Sequence, residues 1–396
     1  MKSNKIRLGE QCVVTSSKRF HLSERITQGV PFYCSKEIIK KFNGEDVTEC
    51  DYISEDLYKK VSNEFGVPKE NDLLITTRGT IGIPYLYKRT DRFYFADGNL
   101  TWIKDFDSNL YSKFLYYWFQ SYEGRKKFEA LAKGTAQKAV PISGIKTLEI
   151  ELPSLKSQKR IADILSAYDD LIENNQKQIK LLEEAAQRLY KEWFVDLRFP
   201  GHENTKIVDG VPEGWNEKTL SQVANVIMGQ SPKSEFYNSE KKGLPFHQGV
   251  GSYGVRFVMD DIYSTSYTRI AEPNSILFSV RAPVGRLNIT KNKVVIGRGL
   301  AARNQTDGCQ SYLYYLLKNK FFKDNVVGNG SIFASVSKDE LLNQKFLIPE
   351  RNLMMQFEKI VSQMDKQIEN LDSKNKKLIE ARDRLLPKLM SGEVEV

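Results

Sequence analysis

The sequence predicts an α+β protein that contains two similar globular domains and two long helices, which pair as an antiparallel coiled coil around an internal pseudo-twofold. Three observations support this prediction. Two amphipathic stretches, residues 152–194 and 348–390, superpose without a gap at a constant offset of 196 residues. Landmarks in the globular half before each stretch also recur, and both stretches share a seven-residue apolar period. Because the repeat is far too long for a solenoid, it indicates two copies of one domain-plus-helix unit.

The first and second globular halves are predicted to span residues 1–150 and 215–346. Each mixes short β-rich runs and turns with a buried helix, which flanking Asp, Ser and Asn residues could cap. The framework recurs while the loops differ in length, which suggests two related surfaces that read different things. The predicted strands are residues 73–77, 93–95, 276–280 and 294–296, and the predicted helices are residues 115–119 and 313–317.

Residues 151–197 and 347–396 are each predicted to hold one long helix, and residues 198–214 form a connector to the second globular half. A sustained apolar period of 3.5 residues is typical of a supercoiled helix pair. A helix of roughly 37 residues spans about 55 Å. Two heads at its opposite ends could reach DNA half-sites about one helical turn apart, although the same length suits a dimerisation spacer.

The apolar seam of this helix pair carries polar interruptions at Asn175, Asn375 and Arg382. Such residues either fix the register when buried or lie where the pair meets solvent, and the sequence leaves both alternatives open. The carboxylates outside the seam, Asp169 and Glu183 among them, are predicted to occupy a solvated face. The seam is predicted to contain Leu165, Ile172, Ile179, Leu182 and Leu189 in the first helix and Val361, Ile368, Leu371, Leu378 and Leu385 in the second.

The composition indicates a partner class and excludes several kinds of site. The 59 Lys and Arg residues exceed the 50 Asp and Glu residues and give a net charge of +9, which is compatible with a polyanionic partner. Four cysteines without a CxxC pair and three histidines argue against a zinc site or a disulfide framework. No apolar run reaches membrane-spanning length and no signal-peptide core is present, so we expect a soluble cytoplasmic protein without a membrane partner.

Polar residues cluster in the loops between the predicted strands. Arg78 and Arg281 stand out because each directly follows a strand at the matching position of its half. Arginine suits guanine and glutamine suits adenine, whereas lysine and serine suit phosphates. The sequence predicts no catalytic or metal-binding residue. The candidate DNA-binding residues are Lys18, Arg19, Ser35, Lys36, Thr77, Arg78, Thr80, Gln137 and Lys138 in the first half, and Gln230, Ser231, Lys233, Gln248, Ser252, Ser279, Arg281 and Arg286 in the second.

An ordered set of short motifs resembles one known family. Leu152-Pro153 and Ile348-Pro349 open the two helical stretches, residues 189–195 lead to a Phe-Pro-Gly sequence, and residues 212–215 read Pro-Glu-Gly-Trp. Together with the head–helix–head–helix order, these motifs resemble the specificity subunit of type I restriction–modification enzymes over essentially the whole chain. No single motif identifies the family, but the ordered set of motifs is specific to it.

The resemblance implies that the two globular halves are target recognition domains, each reading one half of a bipartite, asymmetric double-stranded DNA site. The helices would set the spacer between half-sites and dock two adenine-N6 methyltransferase subunits. Restriction subunits, which act as motor and nuclease, would add cleavage of unmethylated DNA. S-adenosylmethionine, ATP and Mg²⁺ would serve these partner subunits, and this chain would bind no cofactor.

Two other functions compete with this interpretation. A stand-alone, two-headed DNA-binding regulatory protein would occupy its sites without a partner and without subsequent methylation. A self-sufficient nuclease or methyltransferase would need motifs that we do not recognise in the chain. The absence from the sequence of a GxxxxGK[ST] phosphate loop and of an Asn/Asp-Pro-Pro-Tyr/Phe motif weighs against this second function.

Overall fold

The computed structural model of the chain describes residues 4–134, 138–321 and 335–396, without the side chain of Asn4. The chain divides into two compact units. The first unit combines Met1–Gln176 with Asp372–Val396, and the second is Lys177–Leu371. Each unit therefore contains one globular head and a segment of each long helix.

The first head contains three small sheets and five α-helices among its described residues. Four strands form an antiparallel sheet in the order β2-β8-β5-β6, and three form a second sheet in the order β4-β3-β7, where β3 and β7 run parallel. Strand β1 pairs with β9. The strands are β1 Asn4–Arg7, β2 Val13–Thr15, β3 Val30–Tyr33, β4 Asp51–Ile53, β5 Leu73–Thr76, β6 Pro84–Leu86, β7 Tyr94–Phe95, β8 Leu100–Lys104 and β9 Glu149–Leu152. The helices are α1 Ser35–Phe42, α2 Glu55–Glu64, α3 Ser112–Gln120, α4 Tyr122–Glu129 and α5 Ile142–Lys146.

The long helix α6, Leu155–Phe194, leads through a short hairpin to the second head. That head repeats the topology of the first, since β13-β21-β18-β19 corresponds to β2-β8-β5-β6 and the parallel pair β15–β20 corresponds to β3–β7. The last strand of this head, β22, leads into the second long helix, α10, Arg351–Ser391. The strands from the hairpin onward are β10 Ile207–Val208, β11 Val211–Pro212, β12 Asn216–Thr219, β13 Ala224–Met228, β14 Tyr237–Asn238, β15 Leu244–His247, β16 Tyr263–Ser264, β17 Ile270–Ala271, β18 Ile276–Ser279, β19 Leu287–Ile289, β20 Val294–Ile296, β21 Leu300–Gln305 and β22 Lys345–Ile348. The helices of this head are α7 Leu220–Val223, α8 Gln310–Phe321 and α9 Lys338–Leu342.

The internal repeat is thus confirmed in the order of the strands. The central strands β5 and β18 and the buried helices α3 and α8 lie where the sequence predicts them. The heads differ in the segment of chain that lies between their two parallel strands. The first head carries α1 and α2 there, whereas the described residues of the second carry the short strands β16 and β17 in that interval.

The predicted local cap is present at the C-terminal end of α3, where the Ser121 hydroxyl donates to the Trp118 carbonyl at 2.7 Å. At their N-terminal ends, α3 and α8 are instead bonded by side chains of the long helices. In the first unit, the Gln158 side-chain carbonyl of α6 accepts the Tyr111 N–H at 2.9 Å. In the second unit, the Glu358 carboxylate of α10 accepts the N–H groups of Ser311 and Tyr312 at 3.2 and 3.1 Å. An unpaired N–H at a buried helix end is costly, so these bonds tie each head to its helix pair.

Within each unit the two long helices run antiparallel. In the first unit, contacts with α10 move toward its C-terminus as α6 is followed back toward its N-terminus, from Asn175 with Asn375 to Asp169 with Arg382. In the second unit, Ile179 lies in one apolar cluster with Ile368 and Leu371, and Trp193 packs against Phe357 farther along. The antiparallel coiled coil is therefore confirmed in each unit.

The described seam positions divide into two groups. Six are buried, namely Leu165, Ile172, Ile179, Val361, Ile368 and Leu371. Four are partly buried, namely Leu182, Leu189, Leu378 and Leu385. Leu386, next to Leu385, is the more buried of that pair and joins Leu389 in the core of the first unit.

The polar seam residues of the first unit are paired inside the helix interface. The Asn175 side-chain N–H donates to the Asn375 side-chain oxygen at 2.7 Å, and Asn375 also donates to the Ile172 carbonyl at 3.4 Å. Asn375 is buried. This arrangement favours the register-fixing alternative for the asparagines.

The prediction that Asp169 and Glu183 lie on a solvated face is wrong. Asp169 pairs with Arg382, and Glu183 pairs with the buried Arg256 at 3.2 Å. The heptad pattern shows only that a residue lies off the seam, and in each unit this neighbouring face of the helix is covered by the head. In the described parts of the chain, no helix is long and apolar enough to cross a membrane.

Candidate nucleic-acid interface

In each head, the ends of four strands meet at one edge. In the first head, β2 and β5 point the same way because both are antiparallel to β8, and β3 is parallel to β7. The loops that follow these strands are also bonded to each other. The Thr77 N–H and the Ser35 hydroxyl both donate to the Asn99 carbonyl, at 2.9 and 3.2 Å. We call this set of loops, residues 16–19, 34–36, 77–83 and 96–99, the first loop edge.

Arg78 lies at the start of the β5–β6 hairpin, whose base is held by a hydroxyl group. The Thr76 hydroxyl accepts the Ile83 N–H at 2.9 Å, and the Gly82 N–H donates to the Thr76 carbonyl at 2.8 Å. The Arg78 backbone forms an antiparallel bridge with Ala139, while its side chain is exposed. The backbone of Arg78 is therefore fixed and its guanidinium is accessible.

Arg281 occupies the same position in the second head. The Ser279 hydroxyl accepts the Arg286 N–H at 2.9 Å, and the Gly285 N–H donates to the Ser279 carbonyl at 3.0 Å. Arg281 bridges Ser335, and its side chain is exposed. The structure thus places both matched arginines at equivalent points of two different loops.

A cavity of about 320 Å³ opens beside Arg78. Ser16, Thr77, Gly98 and Lys133 also line it. The Ser16 hydroxyl is buried and has no hydrogen-bond partner among the described residues. The cavity therefore brings two cations and an unused hydroxyl into reach of a polar, anionic ligand.

The second loop edge, residues 229–233, 248–252, 280–286 and 297–299, is more strongly cross-linked. The Ser231 hydroxyl donates to the Gln248 side-chain oxygen at 2.7 Å and accepts the Arg298 N–H at 3.2 Å. The Gln230 N–H donates to the Ile296 carbonyl at 2.9 Å. These bonds gather Gln230, Ser231, Gln248 and Arg298 at one edge.

Arg298, which is exposed just after β20, is a candidate DNA-binding residue that the sequence pattern did not reveal. Its flanking glycines were the available signal, because they allow close packing of the backbone. A Cβ atom on Gly297 would lie 2.5 Å from the Gln248 side-chain oxygen, and one on Gly299 would lie 2.5 Å from the Gln248 carbonyl. An arginine between two glycines directly after a strand therefore marks a tight loop that presents a cation.

Three of the selected residues serve the loops themselves. The Ser279 hydroxyl also donates to the Pro283 carbonyl at 2.6 Å, so both of its hydrogen-bonding roles are used inside the hairpin. The Ser252 hydroxyl lies 2.8 Å from His247 Nδ1 and donates to the Gly249 carbonyl. Thr77 is buried beneath Arg78. Their side chains shape the two edges, and the exposed neighbours carry the accessible groups.

Most of the remaining selected residues also lie in the two loop edges, and Lys138 lies beside the first edge, next to Ala139. Lys18, Arg19, Lys36, Thr80, Lys138 and Lys233 are exposed. Lys36 pairs with Glu37 at 3.3 Å, and Lys233 lies 3.9 Å from Glu235. Arg286 lines a separate cavity with Glu183 and Tyr314 of its own unit. Gln137 lies outside the described residues.

A family described as the type I restriction modification DNA specificity domain matches the chain twice, over residues 3–184 and 212–381. The chain belongs to this family. It is 30% identical over 328 residues to the putative type I restriction enzyme MjaX specificity subunit of Methanocaldococcus jannaschii, which covers 81% of this chain and 77% of that protein. The MjaIX specificity subunit of the same organism is 28% identical over 72% of this chain and 69% of its own length.

The fold agrees with this membership. The crystal structure of a type I restriction–modification S subunit from M. genitalium superposes with a TM-score of 0.61 at 19% identity, covering 98% of this chain and 96% of that one. The chain is thus a non-catalytic DNA-specificity subunit of a type I restriction–modification system. The alternative of a stand-alone regulatory protein has no support from these relatives.

Proposed function

We propose that the loop edge of each head reads one half of a bipartite, asymmetric DNA site. The observation that carries this proposal is the pair Arg78 and Arg281, two exposed arginines on fixed backbones at equivalent positions of the two heads. A planar guanidinium on a rigid support suits bidentate recognition of guanine in the major groove. We assign the recognition domains to residues 1–150 and 215–346.

The different neighbours of the two arginines support an asymmetric site. The first edge places Lys133 and the Ser16 hydroxyl beside Arg78, which favours contacts to phosphate oxygens. The second edge places Gln230, Gln248 and Arg298 on one surface, and glutamine is suited to adenine. Since the side chains differ while the framework repeats, the two heads are expected to prefer different bases.

We further assign the helices of residues 151–197 and 347–396 two tasks, joined to the second head by the connector 198–214. They would set the spacer between half-sites and dock two adenine-N6 methyltransferase subunits. Exposed apolar side chains on their surfaces suit a protein partner, for example Leu171, Leu181 and Ile360 with exposed fractions of 52%, 64% and 41%. Restriction subunits would join the complex in the cytoplasm, and S-adenosylmethionine, ATP and Mg²⁺ would act in the partner subunits.

The test is methylome sequencing of a methylation-deficient host that expresses this chain together with a type I methyltransferase subunit that assembles with it. We expect one bipartite motif with N6-methyladenine on both strands, which vanishes when this gene is omitted. The motif would also give both half-sites and the spacer length. A soluble, assembled complex that produces no such motif would contradict the proposal and favour a stand-alone DNA-binding protein.

A further inference from the structure

In the first unit, one carboxylate joins the head to both long helices. Asp169 of α6 accepts a hydrogen bond from the Tyr117 hydroxyl of α3 at 2.6 Å. Its other oxygen accepts from Arg382 Nη1 of α10, also at 2.6 Å. The side chains of Arg382 and Asp169 are 23% and 27% exposed, so solvent only partly screens the pair. We call these three residues the first latch.

The second unit contains a similar cluster around Asp365 of α10. Arg256 Nη2 donates to Asp365 at 2.5 Å, while Arg256 Nη1 donates to the Tyr315 hydroxyl at 3.1 Å and to Glu183 of α6 at 3.2 Å. The Arg256 side chain is 2% exposed, and its guanidinium lies 4.1 Å from the centre of the Tyr314 ring. Burial raises the pKa of Asp365, whereas the neighbouring guanidinium favours the charged form. Arg256, Asp365 and Tyr315, with Glu183, form the second latch.

The two latches share their carboxylate and tyrosine but not their arginine. Asp169 and Asp365 are related by the helix offset of 196 residues, and Tyr117 and Tyr315 occupy the same place in α3 and α8. The counterpart of Arg382 at that offset is Ala186, which is buried. In the second unit the arginine comes instead from the head, in the loop between β15 and β16. The same chemical group is thus delivered from two unrelated points of the chain.

We propose that Arg382 and Arg256 are positioning residues that fix the orientation of each recognition head on its helix pair, and so determine how accurately each half-site is read. This inference rests on the proposed function. The forked Arg256 guanidinium bonds Asp365 and Tyr315 directly. Arg382 instead bonds Asp169, which in turn accepts from Tyr117. The remaining N–H groups of Arg382 donate to the neighbouring Asp383. In both cases a guanidinium, a carboxylate and a tyrosine from different elements are linked in one arrangement, which apolar packing alone specifies less tightly. Burying such a charge is costly unless all its partners are in place, so a displaced head would lose the latch as a whole.

The latch arginine should be transferable from the head to the helix of the second unit. Arg256→Ala removes it, and Ala186→Arg would return it at the position that corresponds to Arg382. Ala185→Arg is the matched control, because it restores the same charge one residue away on an exposed face. Arg382→Ala is the corresponding change in the first unit.

The measurement is methylation by the full complex with its methyltransferase on DNA that carries one substituted base in either half-site, together with the unfolding temperature of each variant. We expect Arg256→Ala to lower discrimination at the second half-site about tenfold and to leave the first unchanged. Arg256→Ala with Ala186→Arg should recover most of that loss, whereas Arg256→Ala with Ala185→Arg should not. Arg382→Ala should affect the first half-site instead.

Unchanged discrimination at both half-sites in a folded Arg256→Ala complex would overturn the inference, as would equal rescue by the two added arginines. If Arg256→Ala does not fold, Arg256→Lys replaces it. Lysine keeps the positive charge but lacks the planar guanidinium with its several N–H groups. Discrimination at the second half-site should therefore fall, while the unfolding temperature changes less than in Arg256→Ala. If the wild-type complex methylates no bipartite motif, the proposed function is contradicted. If the wild-type complex has such a motif and the latch variants read it equally well, only the inference about the latches is contradicted.

Discussion

Replacing Arg78 with alanine is expected to abolish recognition of one half-site while the complex still assembles. The Arg78 side chain is exposed, and its bridge to Ala139 uses only backbone groups, which alanine retains. The free energy of unfolding should therefore change by no more than about 0.5 kcal/mol. A bidentate contact between arginine and guanine discriminates against a wrong base by about 1–3 kcal/mol, or roughly 5- to 150-fold. The loss should appear at the half-site that the first head reads.

The assay is equilibrium binding of the assembled complex to DNA with intact or substituted half-sites at several salt concentrations. If Arg78 contacts a base, Arg78→Ala should remove the preference at one position and leave the salt dependence nearly unchanged. Arg89→Ala is the matched control. Arg89 is also exposed, but it follows β6, which is antiparallel to β5 and therefore ends at the opposite edge of the same sheet.

Two outcomes would refute this reasoning. Retained methylation at wild-type sites would show that Arg78 does not read DNA. A uniform loss of affinity for every sequence, with the salt slope reduced by about one, would indicate a phosphate contact in place of a base contact. Equal losses in Arg78→Ala and Arg89→Ala would point to a general effect of charge, because both changes remove one cation from the same head.

Three further predictions concern the helices and the core. Inserting four residues near Asn175 should change the spacer by about one or two base pairs and not the half-sites, as methylome sequencing would reveal; changed half-sites with an unchanged spacer would contradict the spacing role. Asn175→Leu should lower the free energy of unfolding by about 1–3 kcal/mol because it leaves the side-chain oxygen of buried Asn375 without its donor, and adding Asn375→Leu should restore much of that loss in denaturant unfolding; an equally unstable double variant would argue against the pairing. Burial raises the pKa of Tyr314 to about 12 and also raises that of Tyr190. Because both tyrosines ionise near pH 10 in the unfolded chain, their neutral forms stabilise the folded protein fully below about pH 10, and this contribution is lost as the pH rises above it. The unfolding temperature should fall between about pH 10 and pH 12, and less so in Tyr190→Phe; an equal fall in both proteins would contradict this cause.

The sequence was sufficient to predict the repeat, the antiparallel helix pair and the central strands of both heads. Apolar periodicity carries that information locally, and the offset of 196 residues relates the two copies. The strand-end position of Arg78 and Arg281 could be predicted for the same reason. Their role in DNA reading remains a prediction.

The sequence could not show which polar groups are used inside the protein. Ser279 resembles a loop contact until its hydroxyl is found bonded to Arg286 and Pro283. Asp169 and Glu183 look solvated because the heptad describes only the helix partner, while the head that covers them comes from distant parts of the chain. Long-range pairings of this kind leave no periodic signal.

In the two heads, the same chemical group occupies a matching position although a different residue supplies it. The hydroxyl at the base of the arginine hairpin comes from Thr76 in one head and from Ser279 in the other, at matching positions. The latch guanidinium comes from a helix in one unit and from a head in the other. A chimera with the first head in the second position would therefore place Tyr117 beside Asp365 without an arginine, because Ala186 stands at the helix position. In this chain, the first head in the second position should accordingly need an added arginine, for example Ala186→Arg, to restore the latch.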